Sequence, residues 1–585
     1  MTPRRRLVLC GFGALGILGA SIVSCARLGV RDPEAPPATA PGAAAAHEWD
    51  AFVENYLDRY FAAHPDVAVV AGRHEYDGSL PDWSPRALTR EARRLRAWRE
   101  DAAVFDTTGL DARRRFERAY LIAQADGDLF WLERAGWPYR NPTFYIGALD
   151  PEVYVSRPYA PLPVRMRAYV RYARSVPTAA RQIRRNMRTL LPRTYVDRAV
   201  SAFGGLAEFY TNDVPRVFAP VSDPRLQAEF RRANAGAAAA LRELAAWFAA
   251  QRPRATDTYA IGAGLFSDML SATERVDVSL AELERVGRAD LERNLRALRD
   301  ACASYAPGRS LDECTRRVRA NKPPDGPVAG ARRQLGRLRQ FIVENNLVTI
   351  PGPEQAGVAE APPYNRANLA YINIPGPYET NLPSTYYIAP PDPTWSSQER
   401  EEYLQGEAPL LFVSVHEVWP GHFLQFLHAN RSPSKFGQVF VGYAFAEGWA
   451  HYAEEMMWDA GLGSRSPETH IGQLMNALLR NVRYLSAIGL HTGGMRVAES
   501  ERMFREQAFQ DPGNARQQAA RGTYDPAYLN YTMGKLMIRK LRDDWTASRA
   551  SRAAWREFHD TFLSYGGPPI PLVRRAMVRT EGSLF

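Results

Sequence analysis

Residues 413–455 read VSVHEVWPGHFLQFLHANRSPSKFGQVFVGYAFAEGWAHYAEE and hold four of the chain's ten histidines, His416, His422, His428 and His451, with Glu417, Glu447, Glu454 and Glu455. Imidazoles and carboxylates concentrated in two apolar, helix-like runs are a donor set for zinc. In catalytic sites zinc keeps three protein ligands and one open position. The spacing here is unusual. In the HExxH arrangement two histidines four residues apart share a helix face, and the glutamate beside the first works on water. Four residues after His416 stands Pro420, and the next histidine is His422. At about 100° per residue an unbroken helix puts it roughly 120° around from His416.

An unbroken helix therefore cannot bring both rings to one ion. Proline removes an amide from the helical ladder and glycine tolerates unusual backbone angles, so we expect a bulge at Trp419-Pro420-Gly421 with the helix resuming at His422. A second helix, from Ala444 to Ala460 and closed by Gly461, places Glu447, His451 and Glu454 at i, i+4 and i+7 on one face. The expected ligands of one zinc per chain are His416, His422 and Glu447, with His451 and Glu454 orienting them from behind. Taken singly, His428 and His451 read more simply as hydrogen-bonded core residues. The joint pattern does not, because burying several ionisable groups together without a metal or charge partners is costly.

HEVWPGHFLQ followed by AEGWAHYAEE resembles the bacterial family known as domain of unknown function 885, whose pattern is HE, two variable residues, PGH, then EGW. HPDVAVVAGRHEYDGSLPDWS, LPSTYYIAPPDP, AIGLHTGG and YTMGKLMIRKLR extend the resemblance over most of the chain. That family is similar to the helical HExxH zinc peptidases of the thimet-oligopeptidase and carboxypeptidase Taq groups. The resemblance implies His416, His422 and Glu447 as ligands and Glu417 as general base. His491, in GLHTGG, and Tyr531, in NYTMGK, match recurrent positions and are candidates to stabilise charge on the reacting carbonyl.

At 585 residues and 45% hydrophobic composition the chain has ample material for a large core. The net charge is +10, yet lysine occurs only at Lys322, Lys435, Lys535 and Lys540, and the arginines are interspersed with acids, as on solvated helix faces. No zinc-finger, aromatic-basic or phosphate-loop pattern is present, which argues against nucleic acid as a partner. Arg4 to Arg6, an apolar run from Leu7 to Val23 and Ile22-Val23-Ser24-Cys25 read as a lipoprotein signal. Residues 1–24 would be removed and Cys25 lipidated, anchoring the protein to a membrane of the bacterial envelope. Residues 25–46, rich in Pro and Ala, read as an extended tether. Cys302 and Cys314 then remain, as a disulfide or as two buried thiols.

From residue 47 the pattern predicts a mainly α fold of many helices, one large catalytic domain (47–585) or two lobes (47–346 and 347–585) around a substrate channel. Expected helices include Asp50–Ala62, Ser84–Val104, Pro163–Arg174, Ala179–Leu190 and Ser279–Tyr305, the last started by a Ser279–Glu282 capping box. LVTIP, AYINIP and TYYIAPP, between 347 and 394, read as short strands. Tyr386, Tyr387 and Ile388 would form either an edge that holds an extended peptide or a structural hairpin. The expected activity is zinc-dependent hydrolysis of amide bonds in oligopeptides. The rival readings are a metal-dependent amidase or esterase on a non-peptide substrate, and a non-catalytic binding lipoprotein.

Overall fold

The computed structural model describes residues 41–585 apart from 189, 363–364, 367–368, 550 and 579–581. The signal, Cys25 and most of the tether lie outside the described residues. Among the described residues no helix is long and apolar enough to cross a membrane. Amphipathic runs fold as helices throughout, with one small sheet.

Two expected boundaries move. The first helix runs Pro41–Ala63, so the last residues of the expected extended tether are helical. An alanine run is the best helix former and proline suits a first helical position, which composition alone hid. Pro163–Arg174 and Ala179–Leu190 are one helix, Leu162–Asn186, continuous through Pro177. Its buried stripe, including Met166, Tyr169, Ala173, Val176, Ala180 and Ile183, runs across the proline. Packing worth about 1.5–3 kcal/mol per large side chain outweighs the interior proline's cost of about 3 kcal/mol. Ser279 caps the amide of Glu282, but Glu282 spends its carboxylate on Arg285 at 2.6 Å instead of closing a capping box.

One hydrophobic cluster is built by Leu162–Asn186, Arg193–Asn212 and Pro224–Ala249. A larger one joins Leu280–Tyr305 and Gly326–Glu344 to the helices that follow residue 400, so helices on both sides of residue 346 share a core. Cys302 and Cys314 form a disulfide. Six helices of the larger cluster carry the site: α1 (Glu407–Glu417), α2 (His422–Ala429), α3 (Tyr443–Asp459), α4 (Pro467–Thr492), α5 (Pro512–Tyr524) and α6 (Asn530–Thr546). Helices α3 and α6 cross backbone to backbone: a Cβ on Gly448 would stand 2.5 Å from the Gly534 Cα. A Cβ on Gly472 of α4 would likewise meet the Ala408 carbonyl carbon of α1 at 2.6 Å. Such approaches leave little freedom in the relative placement of α1, α3, α4 and α6.

The sheet comprises β1 (Ala356–Glu360), β2 (Ala370–Asn373) and β3 (Ser384–Ile388), ordered β1-β3-β2. Strand β3 is parallel to β1 and antiparallel to β2. Tyr386, Tyr387 and Ile388 therefore occupy the central strand, paired on both sides, and cannot be the peptide-binding edge. LVTIP is not a strand either. Its backbone groups are taken by other elements: the Thr349 amide donates to Asp560 at 2.8 Å, and His428 Nε2 donates to the Thr349 carbonyl at 2.8 Å.

Candidate metal centre

Helix α1 ends at Glu417 and α2 starts at His422, so two separate helices joined by a turn replace the expected bulged one. The Trp419–Pro420 peptide in that turn is cis. The Gly421 amide donates to the Val415 carbonyl at 2.9 Å, and a Cβ on Gly421 would fall 1.8 Å from the His416 carbonyl oxygen. Only glycine lets the chain fold back this closely. The Trp449 indole of α3 donates to the Pro420 carbonyl at 2.8 Å, fastening the turn to the helix that carries Glu447.

This arrangement brings three donors together. Nε2 of His416 and Nε2 of His422 lie 3.2 and 3.3 Å from Glu447 Oε2, and the three candidate ligand atoms all lie within 4.8 Å of one another. Tetrahedral zinc with bonds of about 2.0–2.1 Å separates its donors by about 3.3–3.4 Å, so the set has the composition of a zinc site and both imidazole-to-carboxylate separations match one. Burial alone would raise the Glu447 carboxyl, but the His422 and His416 rings hold it well below the usual range.

His416 is gripped from behind. Its Nδ1 donates to Glu454 Oε1 at 2.7 Å, and the Arg480 guanidinium forms an ion pair with the same oxygen at 3.1 Å while lying 3.2 Å from His416 Nδ1. Glu454 is fully buried; burial opposes its charge, but Arg480 and the His416 ring keep its carboxyl strongly depressed. With Nδ1 donating, Nε2 presents its lone pair to Glu447's side of the site. His451 approaches Glu454 at 3.6 Å and touches no ligand, and His428 is spent on Thr349, so both behave as core residues.

Glu417, 7% exposed, faces the same cavity as the three candidate ligands, and burial raises its carboxyl. Tyr531 lines that cavity too, its ring 6.1 Å from that of His416. His491 does not join them. It is fully buried, bonds the Gly522 carbonyl through Nε2 at 2.7 Å, and burial pushes its ring down to about 4. The reason is geometric. His491 follows Arg480 by eleven positions on α4, about 16 Å along the axis at 1.5 Å per residue.

The cavity has a volume of 660 Å³ and is walled by β2 on one side and by Arg480, Arg483 and Arg521 on another. The segment 150–157 contributes Asp150, Glu152 and Arg157. A larger cavity of 1220 Å³ adjoins it through Tyr443 and Asp525, both bonded to Arg521. Sequence reading missed the three arginines. Arg480 and Arg483 did carry a signal, because they stand three apart in the otherwise uncharged run LMNALLRNVRYLSAIGL.

The whole fold has counterparts among solved structures. One is described as "a putative lipoprotein of unknown function from Shewanella oneidensis": TM-score 0.73, 21% identity, covering 91% of this chain and 99% of the other. Another is "the putative lipoprotein from Colwellia psychrerythraea": TM-score 0.75, 16% identity, covering 92% of this chain and 99% of the other. At these identities the likeness establishes the fold alone. None of the curated proteins matches the chain. The family described as "Bacterial protein of unknown function (DUF885)" matches residues 65–577, and the chain belongs to that family.

Proposed function

We propose that the protein is a zinc-dependent hydrolase of amide bonds in oligopeptides, related in active-site plan to the HExxH metallopeptidases and held at the bacterial envelope by a lipid on Cys25. One observation carries this reading: two imidazoles and a carboxylate from three helices converge at metal-ligand spacing in a cavity that also holds a buried, otherwise uncommitted glutamate.

Zinc on His416, His422 and Glu447 would polarise the scissile carbonyl and make water a nucleophile at neutral pH. Glu417 is the residue that would accept a proton from the attacking water and return it to the leaving nitrogen. The hydroxyl of Tyr531 is the donor for charge developing on the carbonyl oxygen, a role usually worth about 10²–10³ in rate. Strand β2 replaces β3 as the peptide-binding edge. Among the described residues it pairs only with β3, and it lies along the cavity, where its outer edge can take an extended chain.

The test is metal analysis combined with digestion of a peptide library read by mass spectrometry. The zinc-loaded protein should cleave peptides, and a chelator should stop it. Glu417→Gln should keep one zinc per chain and lose cleavage by at least ~100-fold. One zinc per chain with no peptide hydrolysed would shift the reading to a non-peptide amidase or a binding lipoprotein.

A further inference from the structure

Three guanidinium groups surround the Tyr531 ring. The carbons of Arg480, Arg483 and Arg521 stand 6.0, 4.7 and 5.7 Å from its centre, and all three side chains line the cavity beside the metal ligands. Two already have carboxylate partners. Arg480 pairs with Glu454 at 3.1 Å and Arg521 with Asp525 at 3.0 Å. Arg483 differs.

Only 8% of Arg483 is exposed, its Nε donates to Gln518 Oε1 at 2.8 Å, and its cationic neighbours are the other two arginines. Among the described residues no carboxylate pairs with it. Leaving a guanidinium out of water without a counter-ion is expensive, and its terminal nitrogens form a planar fork that matches a carboxylate in two parallel hydrogen bonds. The side chain that Arg483 does bond is neutral and is itself held by a neutral neighbour: Gln518 donates to Asn514 Oδ1 at 3.2 Å.

We propose that Arg483, oriented by Gln518, anchors a carboxylate of the substrate, so that the hydrolase acts on peptides bearing a carboxylate one to three residues from the cleaved bond. This rests on the hydrolase reading above. Tyr531 sets the distance: its ring lies 6.1 Å from the His416 ring and 4.7 Å from the Arg483 carbon. Each extended residue spans ~3.3–3.6 Å, which places the anchor within one to three residues of the metal ligands. A free C-terminus and an Asp or Glu side chain share this chemistry.

The experiment uses one peptide sequence in three forms: free C-terminal acid, C-terminal amide, and amide with a glutamate near the C-terminus. Cleavage is read on the zinc-loaded wild type, and binding by calorimetry on zinc-loaded Glu417→Gln. The acid should bind at least ~30-fold tighter than the plain amide and be cleaved correspondingly faster. Adding Arg483→Gln should erase the difference while zinc content stays at one per chain, and Arg483→Lys should restore part of it. Recovery with the glutamate amide assigns the anchor to side-chain carboxylates, and failure to recover assigns it to the C-terminus. Cleavage with all three forms treated alike overturns the anchor and leaves the hydrolase standing. Discrimination in binding without cleavage of any form overturns the hydrolase instead. Should Arg483→Gln fail to fold, the acid-to-amide ratio in the unsubstituted pocket still decides.

Discussion

Glu454→Gln separates the two jobs of the residue behind His416. The glutamate is completely buried, accepts from His416 Nδ1 at 2.7 Å and forms an ion pair with Arg480 at 3.1 Å. Glutamine keeps the volume and one acceptor oxygen but removes the charge and places an NH₂ where Glu454 Oε2 stands. The ring then loses the carboxylate that fixes its tautomer and raises its basicity, a change that typically weakens metal binding by about 10–100-fold. Arg480 loses its carboxylate partner while staying buried, and breaking such a pair by removing one partner costs about 3–5 kcal/mol. The retained acceptor puts the expected loss at the lower end of that range. Zinc affinity is measured by competition with a chromophoric chelator, and stability by denaturant unfolding of the zinc-free protein. A variant that loses stability yet binds zinc within about threefold of wild type would refute the idea that Glu454 works through His416. It would leave Glu454 as a structural counter-ion for Arg480.

Two further outcomes follow from the same geometry. Gly421→Ala forces a Cβ to within 1.8 Å of the His416 carbonyl oxygen, a backbone atom that cannot swing aside. Overpacking normally costs about 1–3 kcal/mol, and this site should exceed that and lose stoichiometric zinc by metal analysis; an alanine variant with normal zinc would show that the turn has other ways to close. Glu274 accepts from Asn530 at 2.7 Å and from the Ala444 amide at 3.3 Å, and burial pushes its carboxyl up to about 8. A folded-state value above the unfolded one of about 4.3 means that its contribution is complete below roughly pH 4 and is lost as pH rises through about 8. Wild type should thus lose stability between pH 5 and 8 relative to Glu274→Gln, and parallel stability curves for the two proteins would contradict the assignment.

What could be read from the sequence divides along physical lines. Helices with a strong apolar period were legible because burial of one face repeats every turn. The three metal-type residues were legible because their side-chain chemistry is rare in apolar helices. Pro420 and Gly421 announced that the helix could not continue, although not that it would stop and restart; that depends on Trp449 reaching Pro420 from another helix. The strands failed where context decided. VTI has the composition of a strand, but Asp560 and His428 claim the Thr349 amide and carbonyl, whereas AGVAE, with little β character of its own, pairs because β3 lies beside it.

The misplacement of His491 and the omission of Arg483 have one origin. Both lie on α4, and both were judged as isolated residues, one by a matching motif and the other by a general rule that arginines face solvent. A helix makes position along its axis as decisive as position around it. His491 stands about 16 Å of rise beyond Arg480, deep against Gly522, whereas Arg483 is one turn from Arg480, whose partner Glu454 holds the candidate ligand His416. Counting turns from the ligand contact at Arg480 thus selects Arg483 and rejects His491. The same count makes Asn476, one turn earlier and bonded to Arg480 at 3.0 Å, the other α4 residue whose loss should disturb the site.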